Sequence, residues 1–348
     1  MEQKKVTIGI TMGDPAGNGP ELSAKLLSHP SVYESCRPVI VGDAACMEKA
    51  VEITGSKGRL HVHPIQRIEQ GIYKYGTIDV LDIDTPVMDK RVYGQVSACC
   101  GDAAFRYVEK VIQLALAGEV DATVTNAISK EAINLAGHPY SGHTEIYAHY
   151  THTENYTMML AHENLRVVHV STHVSLRHAC DMVKKERVLE VIRIASEGCR
   201  ALGIANPRIG VAGLNPHCGE NGMFGREEAE EIQPAIYAAL AEGIRIPERK
   251  PTPPDTIFSK ALGGWYDIVV AMYHDQGHIP LKVKGFVYNR TLRRWDTVAG
   301  VNITLGLPVI RTSVDHGTGF GHAGDGSASE LSLANAIEYA VRLAENKR

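Results

Sequence analysis

Three histidines stand in equivalent places along this chain. His173 follows the run RVVHVS at 166–171, His217 follows RIGVAG at 208–213, and His274 follows DIVVAMY at 267–273. Each run is short, apolar and rich in β-branched residues, which reads as a buried strand. Each histidine then falls just past the C-terminal end of a strand, the edge at which open α/β sheets place ligands. Three imidazoles converging there would make a divalent-metal site with positions left open for substrate. The chain has 16 histidines, so any one alone reads as a satisfied structural residue. Their shared position is what singles these three out. His149 and His152 read as a helix surface. Cys218, beside His217, is the cysteine placed to act as a soft ligand.

Other residues could grip an anionic substrate. His143 and Thr144, in SGHTE at 141–145, offer two donors for a phosphate or carboxylate. The same segment also reads as a helix start, with Thr144 as N-cap and Glu145 in the first turn. Asp255 in PPDT is a candidate acid–base group or a supporting carboxylate. Lys282, Asn302 and Arg311 supply a cation, an amide and a fork of donors, suited to a substrate bearing both phosphate and carboxylate. Each of the three also reads as an ordinary surface contact. GDPAGNGPE at 13–21 matches neither GxGxxG nor GxxxxGK[ST]. It reads either as a structural turn or as a site loop that opens a helix at Pro20. DHGTGFGHAGDGSAS at 315–329 reads either as a flexible loop or as a wrap for an adenosine, with His316 packing on the base.

The elements that must position these groups alternate. Strands are expected at 6–10, 38–42, 122–126, 166–171, 208–213, 267–273 and 308–313. Helices are expected at about 95–118, 181–202, 226–242 and 328–346. Such alternation implies a largely parallel α/β architecture. Residues 244–256, with four prolines, read as an ordered crossing loop, and 284–300 as a β-hairpin or excursion. At 348 residues the chain is long enough for two lobes. They are expected at 1–128 plus 303–348, the nucleotide side, and at 129–302, the metal, substrate and dimerisation side.

Bulk composition excludes several function classes. The formal charge of −4 and the absence of a dense Lys/Arg cluster argue against nucleic acid. No run approaches the ~20 apolar residues of a membrane span. Seven cysteines without a CxxC pair fit reduced thiols in the cytoplasm.

GITMGDPAGNGPE, TNAISKEA, SGHTE, MMLA, STHVSLR, LNPHCGENGMFGREE, PPDT, YHDQGHIPLK and VNITLGLPVIRTSVDHGT form a long ordered series. That series is similar to the 4-hydroxythreonine-4-phosphate dehydrogenase family, from about residue 6 to residue 340. The resemblance implies the fold of the isocitrate and isopropylmalate dehydrogenases: two α/β lobes, a cleft between them and no Rossmann fingerprint. It implies a homodimer whose metal site the partner chain completes, with His173, His217 and His274 as ligands of Zn, Mg, Mn or Co. It implies substrate contacts from His143, Thr144, Lys282, Asn302 and Arg311, and catalytic roles for Asp255 and Lys282. It implies NAD or NADP on the loop of His316, Gly317 and Gly319.

Three departures distinguish this chain from the biosynthetic enzyme. They are the polar His278, a longer 286–300 segment, and GFGHAGDG where AFDIAGKG is expected, with Asp325 in place of a cation. The first two resemble a catabolic branch acting on 4-phospho-D-threonate or 4-phospho-D-erythronate, with decarboxylation to dihydroxyacetone phosphate and CO2. The alternatives are the biosynthetic dehydrogenase of pyridoxal phosphate synthesis and, more distantly, a non-redox acyl or phosphate transferase on the same scaffold.

Overall fold

A computed structural model describes residues 5–85, 87–291 and 294–347. The chain is α/β, as expected, and separates into two compact units. The first comprises Met1–Thr153, Thr297–Val301 and Leu307–Arg348; the second comprises Glu154–Asp296 and Asn302–Gly306. Residues 129–153 pack with the first unit, whereas the sequence reading set a boundary at 128. The local cause is visible at Gly101 in the helix Ala98–Leu116. A Cβ there would overlap the Ala132 backbone of the helix Lys130–Leu135, so the two helices approach through a glycine.

The strands are β1 Thr7–Thr11, β2 Arg37–Gly42, β3 His61–Ile65, β4 Thr77–Asp82, β5 Ala122–Thr125, β6 Thr157–His162, β7 Leu165–His169, β8 Ile209–Val211, β9 Ile268–Ala271, β10 Phe286–Asn289, β11 Arg294–Val298, β12 Val301–Leu305 and β13 Arg311–Val314. In the first unit they run in the order β3-β4-β2-β1-β5-β13, with every neighbouring pair parallel. β1 and β5 are buried along their whole length, as strands covered on both faces must be. Gly9 in β1 lets the Ala98–Leu116 helix pack close, its missing Cβ leaving room for Val111.

In the second unit the order is β12-β6-β7-β9-β8. β6 and β7 form an antiparallel hairpin, while β7–β9 and β8–β9 are parallel. Leu160, Leu165, Val167, Val269, Ala271 and Leu281 are all buried in its core. β10 and β11 form the hairpin expected over 284–300.

Several expected helices are shorter or broken. The helix expected at 181–202 is Lys185–Ala201, and a separate short helix, Leu176–Asp181, ends where it was expected to begin. The stretch 226–242 begins as a π-turn, Glu228–Ile232, and becomes an α-helix only at Gln233–Ala241. His149 is exposed on its helix, but His152 lies beyond the end of that helix, in a left-handed turn with φ 51°. No described helix is long and apolar enough to cross a membrane.

Candidate functional site

The second unit carries the histidines. Because β7, β8 and β9 are mutually parallel, the loops holding His173, His217 and His274 leave one common edge. His173 and His274 are neighbours, with ring centroids 5.8 Å apart. His274 begins the helix His274–Gly285, so His278 and Lys282 follow at four-residue intervals on one helix face. The His278 ring stacks on His274 at 3.6 Å. His169, the last residue of β7 and 1% exposed, stands 4.7 Å from His278. Gly277 makes this possible, since a Cβ there would strike the His169 ring.

Burial dominates the electrostatics of this group. It pulls the His169 pKa down to about 3 and the His278 pKa down to about 4, and neighbouring imidazoles push in the same direction. Both rings are therefore neutral at physiological pH. The Nδ1 of His274 lies 2.7 Å from Asp275 Oδ1. A carboxylate at that distance accepts a hydrogen bond from Nδ1–H, which leaves the Nε2 lone pair for another partner. This is the arrangement by which ligating histidines are held. Gln276 ties two exits of the sheet together: its Oε1 accepts from Met272 N at 2.7 Å and its Nε2 donates to Gly213 O at 2.9 Å.

His217 stands in the loop after β8. It is exposed and lines a cavity of about 430 Å³ with Cys218, Glu228 and Lys250. No group of three His, Cys, Asp or Glu side chains poised for a metal ion forms among the described residues of the single chain. The donor chemistry still fits a divalent cation, because His173 and His274 are adjacent and His274 is oriented by a carboxylate. Asp255 is exposed, and its charge reaches Cys218, whose thiol burial pushes up to about 11. Asn302 in β12 donates to Met158 Sδ at 2.7 Å, while its Oδ1 is buried without a partner among the described residues. Lys282 Nζ stands 5.2 Å from the Phe286 ring centre.

The first unit holds the anion-gripping candidates. The helix His143–Tyr150 has Gly142, not Thr144, as its N-cap. His143 and Thr144 are thus its first two residues, where backbone N–H groups are free to meet an anion. The His143 Nε2 is enclosed without a partner among the described residues. Burial, reinforced by the Arg311 charge, holds the His143 pKa well below its ordinary value. Arg311 is 2% exposed, donates to Thr125 Oγ1 at 2.9 Å, and lies 5.7 Å from the Tyr147 ring centre. It is therefore a buried guanidinium beside a neutral imidazole and a helix N-terminus, a combination suited to phosphate or carboxylate.

Two loops that the sequence treats separately meet in this unit. Asn18 N donates to Thr318 O at 2.9 Å, and Gly319, with φ 63°, sits against the Asn18 side chain. Glu21 accepts from Gly324 N and Gly326 N. Asp14 accepts from Ala16 N at 2.9 Å, and burial raises its pKa to about 6. The His316 Nδ1 lies 2.8 Å from Gly317 O, and its Nε2 is buried without a partner among the described residues.

Sequence reasoning missed His169, Asp275 and Asp14 as members of these groups. The HD dipeptide at 274–275 was a readable signal, since a carboxylate next to a ligating histidine can orient it. His169 gave none, lying inside a strand pattern.

Comparison with known proteins places the chain. It is 45% identical to the D-threonate 4-phosphate dehydrogenase of Cupriavidus necator over 341 residues, covering 98% of each chain. It is 45% identical to the protein of that name from Salmonella typhimurium over 344 residues, covering 99% of this chain and 100% of the relative. The crystal structure of a 4-hydroxythreonine-4-phosphate dehydrogenase from Klebsiella pneumoniae superposes with a TM-score of 0.84 at 42% identity, covering 98% of this chain and 100% of that one. Residues 34–340 match the family described as pyridoxal phosphate biosynthetic protein PdxA. The chain belongs to that family.

Proposed function

We propose that this dehydrogenase oxidises the C3 hydroxyl of a four-carbon acid phosphorylated at C4, namely 4-phospho-D-threonate or 4-phospho-D-erythronate. The C3 hydride goes to NAD or NADP and the hydroxyl proton to a base. The β-keto acid so formed loses CO2 and takes up a proton to give dihydroxyacetone phosphate. One observation carries the choice of substrate: two relatives named for D-threonate 4-phosphate align over nearly the whole chain at 45% identity. The dehydrogenase names of the relatives also weigh against a non-redox transferase.

His173, His217 and His274 would hold the divalent cation, Zn, Mg, Mn or Co. When bound, the cation supplies Lewis acidity to the substrate hydroxyl and the nicotinamide accepts the hydride. The single chain brings together His173 and His274, and a homodimer is the proposed form that completes the centre. His143, Thr144 and Arg311 hold an anionic end of the substrate. Lys282 and Asn302 hold further polar groups, and such fixation of orientation supplies a large part of the rate advantage. Asp255 is the proposed proton acceptor, acting directly or through a water. His316, Gly317 and Gly319 form the nucleotide loop. Asp325 is hydrogen bonded to His322 and Ser327 N. A carboxylate there disfavours the extra phosphate of NADP, so NAD is the favoured cofactor.

The test is initial-rate kinetics on 4-phospho-D-threonate, 4-phospho-D-erythronate and 4-phosphohydroxythreonine, each with NAD and NADP and a divalent cation. A higher kcat/KM on one of the two hydroxy acids with NAD is expected. A higher kcat/KM on the amino acid would assign the chain to the biosynthetic reaction named for the Klebsiella relative.

A further inference from the structure

The loop after β8 carries an unusual run of backbone conformations. His217, Cys218, Gly219, Glu220 and Asn221 all have positive φ, at 53°, 55°, 78°, 42° and 56°. Four of these five are not glycine. Each such residue is strained in the left-handed conformation, where its Cβ crowds the following carbonyl. A run of this kind persists only where its surroundings hold it, and observed strain points toward function rather than the reverse.

The holding group is Glu228. Its carboxylate is 5% exposed yet lies within reach of three donors. Oε1 accepts from Leu214 N at 2.8 Å and from Asn215 N at 2.7 Å. Oε2 accepts from Asn215 Nδ2 at 3.0 Å. These bonds fix the backbone that enters the left-handed turn, and Cys218 N closes back onto Asn215 O at 3.1 Å. From the other side, Gly219 rests on the same carboxylate. A Cβ there would stand 2.9 Å from Glu228 Oε2 and 2.8 Å from Gly225 O. Glu228 itself opens the π-turn Glu228–Ile232, a rare element often found beside functional groups. His217 and Glu228 line the same cavity.

We propose that Glu228 is a positioning residue whose buried carboxylate locks the left-handed turn and so aims the His217 imidazole at the cation. The inference rests on the reading of His217 as a ligand. Charge matters to it as well as shape, because charge-assisted acceptors hold N–H donors more tightly than neutral ones.

The experiment titrates Co2+ into the full-length protein, by calorimetry and visible absorption, for the parent, Glu228→Gln, Gly219→Ala and His217→Ala. Thermal melts of the cation-free proteins are recorded alongside. Glu228→Gln is expected to bind Co2+ about 10–100-fold more weakly, the usual effect of removing a group that orients a ligand, with an altered cobalt spectrum. Gly219→Ala, which disturbs the same turn while keeping the carboxylate, is expected to do likewise. Should one variant fail to fold, the other still decides. Parental affinity and spectrum in the folded variants, with only the melting temperature lowered, would reduce Glu228 to a structural role while His217→Ala still lost the cation. Parental Co2+ binding by His217→Ala would remove the ligand reading and the inference with it.

Discussion

His217→Ala is expected to lower cation-dependent turnover by about a thousandfold or more, equivalent to roughly 4 kcal/mol of barrier, with the thermal midpoint of the cation-free protein near the parental value. The asymmetry follows from position. His217 is exposed, so its ring contributes no core burial. Its backbone stays left-handed with either side chain, so alanine bears the same strain. What is lost is one imidazole donor of a proposed three. Steady-state NADH formation across a range of divalent-cation concentrations, paired with a thermal melt, reads both parts. A variant with parental activity would remove His217 from the proposed centre.

Arg311→Met is expected to cut kcat/KM by about 10–100-fold, chiefly through KM, while the melting temperature holds or rises. Hydrogen bonds to charged groups are each worth roughly 1.5–3 kcal/mol, and the methionine cannot replace the guanidinium fork. The stability side has the opposite sign. Burial lowers the Arg311 pKa to about 10, so the folded chain holds that proton less tightly than the unfolded chain. The desolvated charge therefore opposes folding throughout the pH range below about 10. Methionine fills a similar length without a charge, and the lost bond to Thr125 offsets part of the gain. Arg311 would thus trade stability for substrate binding, as active-site residues commonly do. A variant with parental KM and a lower melting temperature would show a structural cation instead.

The parts of this picture that sequence made legible share a cause. Strands β1, β2, β5, β7, β8, β9 and β13 are short and mostly β-branched, so their C-terminal ends can be located to a residue or two. That is enough to place His173, His217 and His274 on one edge. β6, with the sequence TMMLAH, escaped because Met, Leu and Ala carry little strand preference. β3 escaped because HVHPI is half-polar and contains a proline. The helix His274–Gly285 went unread because Gly277, Pro280 and Gly285 all argue against a helix. Its four-residue ladder of His274, His278 and Lys282 appears only in three dimensions. The π-turn at Glu228 and the left-handed run at 217–221 have no period to detect; their causes are hydrogen bonds from residues up to 14 positions away.

The account depends most on where the cation binds. Anomalous diffraction at the cobalt edge, from crystals of the protein grown with Co2+, locates it directly. The account predicts one principal peak per chain within coordination distance of imidazole nitrogens from His173, His217 and His274, counting both subunits of the dimer. A principal peak on other side chains, or none at those three, would contradict it.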